Sequence, residues 1–131
     1  MNKLLIALLF VPVIALADHT VPPKGHTAQD NWKLLCKDGH TGTVRPSTNY
    51  TNGLKNKWVV NGQNPKDYEL DHFIPLELGG CPDCEDNLWL QKWSDARIKD
   101  KWETKLHRQM CVTAITLQDA RKQLLNWKDA K

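Results

Sequence analysis

The sequence predicts a small α+β fold, a single domain in the order strand, loop, strand, helix, helix. Three observations carry this expectation. Tyr68 and Leu70 alternate with Glu69 and Asp71, the period-two pattern of a half-buried strand ending near Phe73. Asn87-Leu88-Trp89-Leu90-Gln91 offers a second short strand. From Trp93 to Cys111 there is no Pro or Gly, and Ile98, Trp102, Leu106 and Met110 recur every four residues, the mark of an amphipathic helix.

The chain opens with one Lys ahead of an apolar run that ends in Ala15-Leu16-Ala17. This reads as an export signal over residues 1–17, cleaved after Ala17, since the run is shorter than the roughly 20 residues of a comfortable membrane span. The alternative is an uncleaved anchor, and no later segment is apolar enough to span. Residues 18–131 suffice for one modest core and not for two ordinary domains. Losing Lys3 lowers the formal net charge of +3 by one, a balance that admits a polyanionic partner without requiring it.

Residues 18–29 are polar and broken by Pro22, Pro23 and Gly25, and are expected as a flexible lead-in with His19 and His26 solvated. The folded domain then covers residues 30–131. A short helix or strand is expected around Trp32–Cys36, followed by turn-rich strands where Gly39, Gly42, Pro46, Asn52 and Gly53 interrupt the pattern. Lys33, Lys37, Arg45, Lys55 and Lys57 scatter basic charge there, either to meet a phosphate backbone or as a solvated face. Ser94 is a candidate cap for the long helix. Thr116 with Asp119 forms a weak capping box for the last helix, whose apolar face is Leu117, Ala120, Leu124 and Trp127.

Four cysteines remain in an exported chain, and an oxidising compartment favours disulfides. Of the three pairings, Cys36–Cys111 with Cys81–Cys84 is preferred: one bond ties the ends of the domain, the other braces a loop. A zinc site of all four thiolates is the alternative, although only Cys81 and Cys84 have C-x-x-C spacing.

The chemistry gathers in YELDHFIPLELGGCPDCEDNLWLQ, residues 68–91. The imidazole of His72 can take a proton from water near neutral pH, and the adjacent Asp71 carboxylate can hold a hard divalent cation. Neighbouring strand residues point to opposite faces, so both reach one site only where the strand ends and twists. Gly79-Gly80 lets the chain turn back and bring Asn87 beside His72, where its amide can pin the His-bearing backbone. Asp95, Lys99, Glu103 and His107 recur every four residues along one side of the following helix. That stripe is either a solvated, ion-paired face or turned toward His72; in the second case Lys99 contacts a phosphate and Glu103 holds it in place, with His107 too far along the helix to join.

These residues resemble a known family. LDHFIPLELGG, then DNLWLQ and a helix, is similar to the ββα-metal finger of HNH endonucleases, with the finger core over about residues 68–105. Small exported or phage-associated HNH-like proteins carry a helix similar to Ala96-x-x-Lys99-Asp100-x-x-Glu103. The resemblance implies Asp71 as metal ligand, His72 as general base and Asn87 as the central asparagine. The family's third position falls near Asp95 or Ala96, where no histidine stands; Asp95 is the candidate second ligand, with Asp100 and Glu103 behind it. Lys99 and Arg97 are carried as further catalytic and substrate contacts. The implied ion is Mg²⁺ or Mn²⁺ rather than zinc, since Mg²⁺ manages with one or two carboxylates plus substrate phosphate. Trp58, Trp89, Trp93 and Trp102 could stack on bases, although core packing explains most of the six tryptophans.

The resulting expectation is an exported, metal-dependent endonuclease acting on DNA or RNA. The alternative is a non-catalytic exported module that keeps the finger as a scaffold and binds nucleic acid or protein through its basic and aromatic surface. A third is a small disulfide-braced structural protein.

Overall fold

The alternation at residues 68–72 produces a strand, β1 (Tyr68–His72), which pairs antiparallel with β2 (Leu88–Lys92). The computed structural model describes residues 16–129. The export segment expected at residues 1–17 lies almost entirely outside them; Leu16 is exposed. Five helices complete an α+β fold: α1 (Trp32–Leu35), α2 (His40–Val44), α3 (Thr48–Trp58), α4 (Trp93–Cys111) and α5 (Leu117–Leu125). Among the described residues no helix is long and apolar enough to cross a membrane.

Two helices, α2 and α3, joined by residues 45–47, take the place of the expected turn-rich strands, which corrects the expectation for that region. The sequence of α3, TNYTNGLKNKW, is poor in strong helix formers. What holds it is local capping and tertiary burial. The Ser47 side chain accepts from Tyr50 N–H, and Leu54 and Trp58, one turn apart, pack on Leu88 and Leu90 beside Tyr68 and Leu70.

Helix α4 follows β2 directly and starts from Lys92 without a side-chain cap, so Ser94 lies inside the first turn rather than at the cap. Its deepest residues are Ala96, Lys99, Leu106 and Met110. Leu106 and Met110 meet Leu35, Ile74, Leu78 and the α5 residues Leu117, Ala120 and Leu124 in the main core, while Trp102 is half-buried at its margin. Helix α5 begins with the expected capping box, Thr116 accepting from Asp119 N–H while the Asp119 carboxylate accepts from Thr116 N–H.

Both expected disulfides form. Cys36–Cys111 joins the end of α1 to the end of α4 with Cα atoms 5.6 Å apart, and Cys81–Cys84 closes a small ring in the β1–β2 loop. With its sulfurs in these bonds the chain has no four-thiolate zinc site. The two bonds are compatible with an oxidising compartment.

Residues 18–29 do not hang free. They form a strap in which Leu90 N–H donates to His19 O, Gly25 N–H to Asp86 O, Cys81 N–H to His26 O and Ala28 N–H to Gly79 O. The His19 ring stacks on Trp58 with centroids 3.9 Å apart. The glycine pair makes this approach possible. A Cβ on Gly79, which has a φ of 81°, would strike Gln29 O, and one on Gly80 would strike Ile74 O and crowd Asn87 Nδ2. Gly80→Ala is therefore expected to lower stability by at least ~1–3 kcal/mol, read as a fall in the urea midpoint; an unchanged midpoint would show that the loop has room to shift.

Candidate active site

The loop between the strands is organised around Asn87, which has no exposed surface. Its Oδ1 accepts from Ile74 N–H, and its Nδ2 donates to Ile74 O and Cys81 O. Phe73 N–H donates to Asn87 O. Asn87 thus clamps the backbone that leaves His72, the scaffolding role its position suggested.

His72, last in β1, is 8% exposed. Its Nε2 lies 2.8 Å from Pro82 O. A carbonyl only accepts, so Nε2 carries the proton in the neutral ring and Nδ1 keeps the free lone pair. Burial holds the imidazole below its ordinary pKa against the opposing pull of the Pro82 bond and Asp71, and the positive charges of Arg45 and Lys99 add to burial. A neutral imidazole with one free nitrogen is the state a general base needs. Pro82 sits between Cys81 and Cys84, so their disulfide ring fixes the carbonyl that orients His72.

A cleft of about 310 Å³ opens beside His72, lined by Glu69, Leu70, Asp71 and His72 on one side and by Arg45, Thr48, Thr51, Asn52 and Lys55 on the other, with Trp93 at its edge. Four consecutive strand residues cannot share one sheet face. The cleft therefore runs along the free edge of β1, and this is how Asp71 and His72 reach one site.

Lys99 is 1% exposed and does not face the cleft as a phosphate ligand. Its ammonium donates to Asp71 Oδ2 at 2.7 Å, to His72 O at 2.7 Å and to Glu103 Oε1. Burial works against the charge, but Asp71 and Glu103 outweigh it and hold Lys99 above the ordinary lysine value. The stripe is turned inward, as the second of its two readings had it, yet Lys99 positions Asp71 and the His72 backbone instead of touching substrate. His107 is elsewhere, bonding Leu35 O and lying 3.7 Å from Glu77. Asp95 does not line the cleft, and Arg97 is exposed outside it.

The residue that sequence reasoning missed is Glu69. It stands two residues before Asp71 on the same strand, hence on the same face, and lines the cleft with it. Its Oε2 is buried without a hydrogen-bond partner. Burial, then the negative charges of Asp71 and Asp100, push its carboxyl up to about 7. The other buried side-chain atoms without partners among the described residues belong to Gln91 and Trp89, which the register sets opposite Glu69 and Asp71. The period-two spacing Glu69-x-Asp71 was the available signal.

Because Glu69 is raised above an unfolded value near 4.3, the folded state binds the extra proton. Its contribution to stability is full below about pH 4 and is lost as pH rises through about 7. With chelator present, the wild-type Tm should fall from pH 5 to pH 8 more than that of Glu69→Gln; parallel curves would remove Glu69 from this account.

Among the described residues, every group of three Asp, Glu, His or Cys ligand atoms lying within 4.8 Å of one another includes a disulfide cysteine, and none includes Asp71. A metal at Asp71 would therefore rest on one or two carboxylates, a set that Mg²⁺ accepts with substrate oxygens and water. No protein-family model, curated protein or solved structure matches the chain.

Proposed function

We propose that the protein is an exported, metal-dependent endonuclease that hydrolyses phosphodiester bonds with His72 as general base. The observation that carries this reading is the free Nδ1 of a buried, neutral His72, whose other nitrogen is fixed by Pro82 O at the edge of a cleft lined by both carboxylates and cations. Nδ1 takes a proton from water; the water oxygen bonds to phosphorus as the bond from phosphorus to the 3′ oxygen breaks, and that oxygen takes a proton from solvent.

Asp71 and Glu69 would hold a Mg²⁺-like ion. The fit rests on the unpartnered buried oxygen of Glu69 beside Asp71, because an unmet buried polar group costs ~1–3 kcal/mol and an ion returns its missing contact. Such an ion supplies charge stabilisation to phosphate and leaving oxygen. Lys99 and Glu103 keep Asp71 in place, and Asn87 and Pro82 keep His72 in place.

The test is cleavage of plasmid and single-stranded DNA, and of RNA, by the oxidised protein in Mg²⁺, Mn²⁺ or EDTA, beside His72→Ala. Metal-dependent cutting lost in the variant supports the reading. Binding that survives EDTA with no cutting in any ion would instead support a non-catalytic module.

A further inference from the structure

The wall of the cleft opposite His72 comes from a part of the chain outside the resemblance. Thr48, Thr51, Asn52 and Lys55 stand at i, i+3, i+4 and i+7 of α3, so one helical face turned toward β1 is wholly polar and carries no carboxylate. The neighbouring face of the same helix buries Leu54 and Trp58 against the sheet. Arg45, just before the helix, lies close enough to His72 for its charge to act on the imidazole, and Lys55 lies close enough to Glu69 to act on its carboxyl. From Thr48 to Lys55 the helix rises about 10 Å. Arg45 thus stands near His72 and Lys55 near Glu69, two separate points along the cleft.

Trp93 adds a second kind of contact. It opens α4 at the edge of the cleft and remains 41% exposed, although Trp58, Trp89 and Trp127 are all buried. An exposed indole at the rim offers its face to a base that has left its stack, and base–aromatic stacking tolerates any sequence. His72, 8% exposed, lines the same space of about 310 Å³. A base in a duplex is paired and stacked, so the indole contact is open to an unpaired strand and closed to a duplex.

We propose that this cleft takes an unpaired polynucleotide strand, with Arg45 and Lys55 on separate phosphates of its backbone and an unstacked base on Trp93, so that the protein selects single strands over duplex. The inference rests on the nuclease reading for the phosphate at His72. Glu69 and Asp71 on the other wall repel phosphate, so the grip strengthens when a divalent cation neutralises them.

The test uses the full-length, disulfide-bonded His72→Ala protein, which holds substrate without turning it over, and the anisotropy of a labelled oligothymidine against a hairpin duplex of equal length. Both are titrated across a salt series in Mg²⁺ and in EDTA. The single strand is expected to bind at least about ten-fold tighter than the hairpin. Adding Trp93→Ala should weaken single-strand binding roughly 5–150-fold, the equivalent of one stacked base, while Trp93→Phe retains most of it. Arg45→Ala and Lys55→Ala should each flatten the slope of log affinity against log salt by about 0.7, the share of one phosphate. Equal or tighter binding of the hairpin, or single-strand binding indifferent to Trp93→Ala, overturns the proposal. If cleavage by the parent protein depends on His72 but strand preference is absent, the nuclease reading stands and this inference falls; if the binding signatures appear without metal-dependent cleavage, the nuclease reading falls and the cleft assignment stands. Failure to bind any polynucleotide overturns both.

Discussion

His72→Ala is expected to lower metal-dependent phosphodiester cleavage by a factor of roughly 10²–10⁴, the usual worth of a positioned general base. The size follows from what the variant removes: the Nδ1 lone pair is lost, while the Asn87 clamp, the Lys99 network and both disulfides persist. Because burial holds the imidazole below its ordinary value of about 6.5, the parent protein keeps the base neutral through neutral pH. The acid limb of its kcat/KM profile should therefore lie below pH ~6.5. Steady-state rates across pH, with circular dichroism to confirm the fold, check both statements. A variant that cuts at the parent rate would remove His72 from the mechanism.

Lys99→Met carries the largest expected stability effect, a loss of about 3–5 kcal/mol, because it strips the counter-charge from two carboxylates that stay inside. Asp71 and Glu103 then face each other without the ammonium, and His72 O loses a donor. Urea unfolding reads the loss. The double variant Lys99→Met with Glu103→Gln should recover part of it by removing one uncompensated charge, which separates electrostatics from packing. The stabilisation from the Lys99 charge itself is fully present below an unfolded lysine value near 10.4 and is lost as pH rises through the higher folded value. A single variant within ~1 kcal/mol of the parent would show that the ammonium is not what holds this cluster together.

Where burial imposed a simple period, the sequence was readable. Strand β1, α4 and the capped α5 show their periodicity because each lays one face on apolar neighbours, whereas β2 is a short run buried on both faces. Helix α3 was hidden by its glycine, threonines and asparagines, whose low propensity is overridden by Leu54 and Trp58 packing on the sheet. Count and spacing left three cysteine pairings open, and the preferred one, with one bond tying the ends of the domain and one bracing a loop, is the one that forms. At the site, Asp71, His72 and Asn87 were visible as a motif, but the direction of the α4 stripe was not, because spacing alone does not say which side of a helix meets the sheet. Lys99 was thus expected at the substrate, and Asp95 was expected to line a site that it does not line. Glu69 was hidden by its ordinary place in an alternating strand. The strap at residues 18–29 was missed because its bonds are to backbone groups far along the chain, which leave no trace in local composition.

A sheet of two strands has two outer edges, each a row of backbone groups onto which another chain can zip. Here the strap meets β2 at Leu90, and the outer edge of β1 is the wall of the cleft. An incoming strand from a second copy would have to lie in that cleft and cover Glu69 and Asp71, whose desolvation it has nothing to offset. The charges that would hold the ion therefore also guard the sheet's open border, so a substitution such as Glu69→Val would remove a putting-off charge and create a self-association surface in the same step.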